Sequence, residues 1–143
     1  MNLLWTLCLA LLPASAHPMA GQTSVVVVMK TATCSVCVTQ LRALGEARLG
    51  VSLAGITHDP PLLASAVTRA TGVRTTSHAE GIVAMGLWSP RLGIAQPAVV
   101  VYDRCGEETG RIVDRRPGLD VTDRVRELIE QAEAVGSCGS PLT

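Results

Sequence analysis

Only two residues separate Cys34 and Cys37, and two thiols at this spacing can react with each other. A CxxC pair can close into a disulfide and reopen, so it suits reversible redox reactions better than a fixed cross-link. The alternative is a purely structural disulfide. The pair falls where a helix is predicted to begin, and free backbone N–H groups at a helix N-terminus stabilise an anion. The sequence therefore predicts a redox-active pair with a stabilised thiolate at Cys34.

The elements that must position this pair lie on either side of it. Residues 24–29 form a short apolar run rich in valine, which is typical of a strand buried on both faces. After the cysteines, Val38, Leu41 and Leu44 follow the spacing of an amphipathic helix. The pattern thus predicts a central strand that leads through the CxxC into a helix.

Length and composition limit the possible functions. The chain has 143 residues, zero formal net charge and a pI near 6.8. It is long enough for one domain with a proper core, and its charge favours neither nucleic acid nor an anionic membrane as a partner.

The N-terminus has the pattern of a secretory signal. Residues 3–12 are apolar but too short to span a bilayer, and a small-residue cleavage pattern ends at Ala16. We expect residues 1–16 to be removed and residues 17–143 to form one domain, exported to the periplasm or the extracellular space. No membrane contact is expected after cleavage. Four cysteines then remain, an even number that suits disulfide pairing in an oxidising compartment.

The middle of the chain alternates strands and helices. Residues 51–56 are predicted to be a second strand, parallel to the first. Asp59, followed by two prolines, is the predicted N-cap of a helix that ends at Gly72. Ser77 begins a capping-box pattern, which predicts a further helix that ends before Pro90.

The C-terminal part is predicted to add a hairpin and a helix. Residues 97–103 read as a strand opened by a proline, and residues 111–114 read as its antiparallel partner. The spacing then predicts a helix from Asp120 or Thr122 to Gly136.

This order, with CxxC after the first strand and proline opening the third, resembles the thioredoxin fold. The resemblance covers about residues 22–136 and is closest to the exported thiol–disulfide oxidoreductase and peroxiredoxin-like branch. It implies an α/β fold with a central four-stranded mixed sheet flanked by helices, and an extra helix before the strand that a cis-proline opens.

The resemblance also implies roles for individual residues. Cys34 would attack a substrate disulfide and Cys37 would resolve the mixed disulfide. Pro97 would be the cis-proline that faces the pair, and the backbone groups of Gln96 would be free to bind a substrate chain as an added strand. The implied partners are protein thiols and disulfides, with no cofactor and no metal, and we expect a monomer.

Several positions depart from the family pattern. Thr33 replaces the tryptophan that commonly precedes the first cysteine, and Val28 replaces the buried aspartate of thioredoxins. Thr31 lies three residues before Cys34, as in peroxiredoxins, but Val27 replaces their upstream proline, so peroxidase activity is disfavoured.

Other candidate sites compete with this reading. Residues 33–38 also resemble the soft-metal site of small heavy-metal-associated domains, so delivery of Cu(I) is the alternative function. His58 and His78 are interpreted as solvated loop residues and Trp88 as a packing residue.

The thioredoxin-like topology that the resemblance implies also predicts where Cys105 and Cys138 lie. That topology brings the loop with Cys105 and the end of the last helix, with Cys138, to the face opposite the CxxC. We therefore predict a structural disulfide between Cys105 and Cys138.

Overall fold

The computed structural model describes residues 21–113 and 120–138. The predicted signal at residues 1–16 and the last residue of the strand predicted at residues 111–114 lie outside the described residues. Within the described ranges, no helix is both long enough and apolar enough to cross a bilayer.

The described part of the chain has seven strands and four helices, which make an α/β fold with a central mixed sheet between helices and confirm the fold class predicted from the sequence. The main sheet has the order β3-β2-β1-β6-β7, in which β1, β2 and β3 are parallel and β6 and β7 are antiparallel to their neighbours. The elements are β1 (Ser24–Val28), α1 (Ser35–Glu46), β2 (Ser52–Thr57), α2 (Pro61–Thr71), β3 (Thr75–Ser77), α3 (Ala79–Ala84), β4 (Trp88–Ser89), β5 (Ile94–Ala95), β6 (Ala98–Tyr102), β7 (Glu108–Val113) and α4 (Thr122–Glu133).

The valine run forms the centre of the sheet. Val25 and Val27 belong to the core under α1, α2 and α4, whereas Val26 and Val28 belong to the core on the opposite face, under α3. All four are 5% exposed or less. Burying a valine side chain contributes about 1.5 kcal/mol or more, so β1 stabilises both layers of the domain.

The sheet has five strands where the sequence predicted four. Thr75–Ser77 forms an extra edge strand parallel to β2, in place of the start of a capping box. A three-residue strand carries too little periodicity to be read from sequence, and it forms here because β2 offers a free edge. A separate hairpin pairs Trp88–Ser89 with Ile94–Ala95, where the sequence predicted a helix end and a connector.

The helix before this hairpin is shorter than predicted because Gly86 ends it. Gly86 has a φ of 73°, its N–H donates to Val83 O, and Leu87 N–H donates to Ile82 O. These are the two bonds of a Schellman motif. A hydrophobic contact usually accompanies this motif, and here Leu87 and Ile82 belong to the same hydrophobic cluster. Met85, the C-cap residue, still has helical backbone angles, and the chain leaves the helical path at Gly86.

Two predicted N-caps are wrong. Pro60, without a side-chain bond, caps α2, because the Asp59 carboxylate has other hydrogen-bond partners. His78, not Ser77, caps α3, and its Nδ1 accepts from Gly81 N–H at 2.7 Å. His78 is therefore a capping residue and not simply a solvated loop residue.

The Gln96–Pro97 bond is trans, so the predicted cis-proline is wrong; none of the described residues has a cis peptide bond. Gln96 N–H donates to Leu87 O at 2.6 Å, which ties the chain to the small hairpin as it enters β6. An extended chain needs no tight turn here, and without one an X–Pro bond prefers the trans form.

Candidate active site at the start of helix α1

The two central cysteines form a disulfide at the N-terminus of α1. Cys34 and Cys37 are joined with their Cα atoms 5.3 Å apart. Cys34 is the N-cap residue, and its Sγ accepts from Cys37 N–H at 3.2 Å. Cys34 is half-buried, whereas Cys37 is only 6% exposed. An attacking thiol from another molecule therefore reaches Cys34 more readily than Cys37.

The buried face of α1 fixes the position of the disulfide. Cys37, Leu41 and Leu44 all pack into the core between the sheet and the helices. Their spacing of four and three residues places them on one face of the helix. Ser35 and Val36, between the cysteines, are exposed. The disulfide thus lies where an immobile helix face meets the molecular surface.

A tight turn precedes Cys34. Cys34 N–H donates to Thr31 O at 3.2 Å, which closes a four-residue turn around Ala32 and Thr33. Thr31 and Thr33 also share a hydrogen bond between their hydroxyl groups at 3.2 Å. Ala32 N–H is not used by this turn and instead donates to Asp59 Oδ2 at 2.6 Å. The turn that carries Cys34 is therefore tied to the segment after β2.

Asp59 is itself held in place by its neighbours. The Thr57 hydroxyl donates to Asp59 Oδ2 at 3.1 Å, and Asp59 N–H donates to Thr57 Oγ1 at 3.2 Å. Thr57 is fully buried, and the Ser77 hydroxyl donates to Asp59 O. Sequence reasoning assigned Asp59 to a helix cap. The parallel pairing of β1 and β2 could have indicated its true place, because parallel strands bring their carboxyl ends together.

His58 and Trp88 pack together beside this segment. Their rings meet edge to face with centroids 4.9 Å apart. The His58 side chain is 17% exposed, its Nε2 lies 3.9 Å from Asp59 Oδ1, and its buried Nδ1 has no hydrogen-bond partner. His58 is thus mostly buried and not a solvated loop residue, whereas Trp88 packs as the sequence predicted.

The chain leading into β6 lies at the same end of the sheet. Ala98 is paired with Val28, so Pro97 lies beside the point where β1 ends. The sequence predicted that the backbone groups of Gln96 are free to bind a substrate chain. This prediction is wrong for the Gln96 N–H group, which donates to Leu87 O.

Two of the surface cavities among the described residues lie beside α1 and beside the opposite face of the sheet. One, of about 400 Å³, runs along the exposed side of α1 and meets the start of α4 at Val121. It begins at Ser35 and Val36, next to the disulfide. The other, of about 420 Å³, lies on the opposite face of the sheet beside Tyr102 and Arg111.

The charges of the second cavity are already paired. Arg111 forms an ion pair with Glu108 and donates to Met85 O at 2.9 Å. The bond with Glu108 raises the pKa of Arg111, and burial, with help from Glu108, raises the pKa of Tyr102. Among the described residues, no three His, Cys, Asp or Glu side chains are grouped closely enough to hold a metal ion.

A second disulfide joins Cys105 and Cys138 at the other end of the sheet, with Cα atoms 5.1 Å apart. It links the turn between β6 and β7 to the segment after α4. Asp103 Oδ1 accepts from Cys105 N–H at 2.8 Å and from Glu107 N–H at 3.1 Å. This pair lies far from α1's N-terminus because β6 runs away from the end where β1 stops.

The sheet order, the disulfide at the start of α1 and the flanking helices define a thioredoxin-like fold with a candidate redox site. Solved structures similar to the chain support this class. Enterococcus faecalis AhpC has a TM-score of 0.68 and 18% identity, over 84% of this chain and 83% of that one. Peroxidoxin BcpB from Mycobacterium tuberculosis has a TM-score of 0.60 and 19% identity, over 82% of each chain.

A third similar structure is a putative thioredoxin reductase from Burkholderia cenocepacia, with a TM-score of 0.60 and 18% identity, over 83% of this chain and 78% of that one. No protein-family model and no curated protein matches the sequence. The chain therefore has a thioredoxin-like fold, which it shares with these solved structures, and a CxxC disulfide at the start of α1.

Proposed function

We propose that the protein is a thiol–disulfide oxidoreductase that exchanges disulfides with protein thiols through Cys34. The observation that carries this proposal is the asymmetry of the pair: Cys34 is half-buried at a helix N-cap and Cys37 is buried behind it. An accessible sulfur next to a protected one is what a two-step exchange requires.

The exchange proceeds through one mixed disulfide. A substrate thiolate attacks Cys34 Sγ, the Cys34–Cys37 bond breaks, and Cys37 leaves as a thiolate that takes up a proton from water. A second substrate thiolate then attacks the substrate sulfur, and Cys34 leaves as a thiolate. The substrate loses two electrons and the protein pair gains them. The same steps in reverse reduce a substrate disulfide.

The start of α1 favours Cys34 as the leaving group. Cys37 N–H already donates to the Cys34 sulfur, and a hydrogen bond from an amide strengthens when its acceptor becomes an anion. The N-terminal end of the helix dipole adds to this stabilisation. The cavity beside Ser35 and Val36 offers a polypeptide substrate contact area next to the sulfur.

The test is to trap the mixed disulfide. Cys37→Ser removes the resolving thiol, so the variant should hold a substrate protein on Cys34, and a reductant should release it. The matched control is Cys34→Ser, which should trap nothing. Reduced wild-type protein whose Cys34 reacts no faster than a model thiol at neutral pH contradicts the proposal.

The same experiment separates two other functions. Stoichiometric Cu(I) binding without dithiol exchange supports the soft-metal alternative. Oxidation of Cys34 by peroxide, faster than by disulfides, supports a peroxidase.

Export to the periplasm or extracellular space is part of the proposal. It is supported by the apolar segment before Ala16 and by two disulfides, since an oxidising compartment lets such bonds persist. N-terminal sequencing of the secreted protein should begin at His17. Retention of the full chain in the cytoplasm contradicts this part.

A further inference from the structure

The segment after β2 contacts the turn that carries Cys34, although 25 residues separate Asp59 from Cys34 (59 − 34). Resting on the proposed function, we infer that Asp59 is a positioning residue for disulfide exchange. Its carboxylate holds the turn so that Cys34 occupies the N-cap position of α1.

The first step of the argument is the geometry of the turn. The bond from Cys34 N–H to Thr31 O fixes one end of the turn but leaves Ala32 N–H without a partner inside it. Asp59 Oδ2 supplies that partner at 2.6 Å, and a carboxylate is a stronger acceptor than a neutral group. The Ala32 methyl group is 8% exposed and packs in the core, so the first half of the turn is fixed on both sides.

The second step is the rigidity of Asp59. Two reciprocal bonds with Thr57 hold the side chain and the backbone of Asp59, and Ser77 from β3 holds its carbonyl group. Thr57 is fully buried at the end of β2, next to β1. The carboxylate is therefore fixed relative to the sheet, and it transmits that position to the turn.

The third step is the consequence for Cys34. An N-cap sulfur accepts a hydrogen bond only when its backbone is extended and correctly placed, as it is here with φ −68° and ψ 103°. A turn that shifts by about 1 Å weakens the bond from Cys37 N–H and misaligns Cys34 for in-line attack, which can cost as much as a hundredfold in rate. Asp59 thus acts on the reaction through Cys34 without contacting the reacting atoms.

The test compares Asp59→Ala with Asp59→Asn in the full protein. Asparagine keeps an oxygen that can accept from Ala32 N–H, whereas alanine removes it. The readouts are the rate of exchange with a small disulfide, glutathione disulfide, and the pH midpoint for alkylation of reduced Cys34 by iodoacetamide. We expect Asp59→Ala to slow exchange about tenfold and to raise the midpoint, and Asp59→Asn to stay within about threefold of wild type.

Asp103→Ala is the matched control, because the Asp103 carboxylate, like that of Asp59, accepts from backbone N–H groups, but beside the other disulfide. It should lower stability and leave the pH midpoint of Cys34 unchanged. An equal shift from Asp103→Ala contradicts the inference, since the effect would then be general loosening.

Two further results contradict it. One is a pH midpoint for Cys34 alkylation that is the same in Asp59→Ala as in wild type. The other is a pH midpoint that falls by the same amount in Asp59→Ala and Asp59→Asn, because that result would show an effect of charge and not of position. If Asp59→Ala does not fold, Thr57→Val replaces it, because valine has a similar shape and cannot hold the carboxylate. That variant should raise the midpoint in the same direction, and an unchanged midpoint contradicts the inference.

The experiment distinguishes failure of the proposed function from failure of the role of Asp59. If wild-type Cys34 is unreactive, the proposed function fails. If wild-type Cys34 is reactive and the Asp59→Ala and Thr57→Val variants match it, only the role of Asp59 fails.

Discussion

The two disulfides of this protein lie at opposite ends of one sheet and differ in what surrounds them. Cys34–Cys37 closes a separation of 3 residues at a helix N-cap, whereas Cys105–Cys138 closes a separation of 33 residues between a turn and the end of the chain's last helix. In each case an aspartate carboxylate accepts backbone N–H groups of the adjoining loop, Asp59 at one end and Asp103 at the other.

Under the proposed function, the difference teaches that the helix N-terminus, and not the disulfide bond itself, distinguishes a reactive pair from a structural one. Cys34 receives a hydrogen bond from Cys37 N–H, and α1 adds its positive end. Cys105 and Cys138 lie outside the helices and strands, so no helix N-terminus stabilises either thiolate. The distal pair instead constrains a long loop, which is how a cross-link stabilises a fold.

The largest expected effect is on stability. Replacing Cys105 and Cys138 by serine should cost about 3 to 4 kcal/mol, because the unfolded chain regains the freedom of a loop of about 34 residues. The matched double variant at Cys34 and Cys37 should cost only about 2 kcal/mol in the same chain-entropy model. Urea unfolding of the two variants beside wild type measures both. Equal losses would remove the distinction between a catalytic and a structural bond.

The next effect is on the rate of reduction. A mild thiol should open Cys34–Cys37 at least about tenfold faster than Cys105–Cys138, because the rate rises when the leaving thiolate is stabilised. Timed alkylation followed by mass mapping follows each bond. Opening of the distal bond first, or any crossed pairing of Cys105 with Cys34, contradicts the comparison.

The smallest effect concerns the distal turn. Asp103 is 7% exposed, and Asp103→Ala leaves the N–H groups of Cys105 and Glu107 without their acceptor. The expected loss is about 1 kcal/mol of unfolding free energy, because two hydrogen bonds at the half-buried Cys105 and the exposed Glu107 are lost and water can replace part of them. Asp103→Asn, which keeps an acceptor oxygen, should lose less than half of that. Thermal or urea unfolding reports both variants, and equal losses would show that charge matters more than hydrogen bonding.

Much of this could be predicted from the sequence because the signals are local. Four consecutive valines are typical of a strand buried on both faces, and β1 is such a strand. Val38, Leu41 and Leu44 repeat at helical spacing, and they lie on α1. The position of the CxxC between the strand and the helix was therefore predictable. The thioredoxin-like order followed from these elements and from the strand that begins after Pro97.

The errors arose where long-range contacts overrule local preference. Asp59 precedes two prolines as a helix cap would, yet its carboxylate accepts from Ala32 N–H, 27 positions earlier, at the end of the neighbouring strand β1. Thr75–Ser77 became a strand because β2 had a free edge. Gln96–Pro97 is trans because the hairpin before it delivers an already extended chain.

The sequence alone therefore determined β1, α1 and the CxxC pair between them, because hydrophobic periodicity and cysteine spacing depend on neighbours in the chain. Only the tertiary structure decided how the turn before Cys34 is held, because the hydrogen bond to Ala32 comes from a residue that the parallel pairing of β1 and β2 brings alongside.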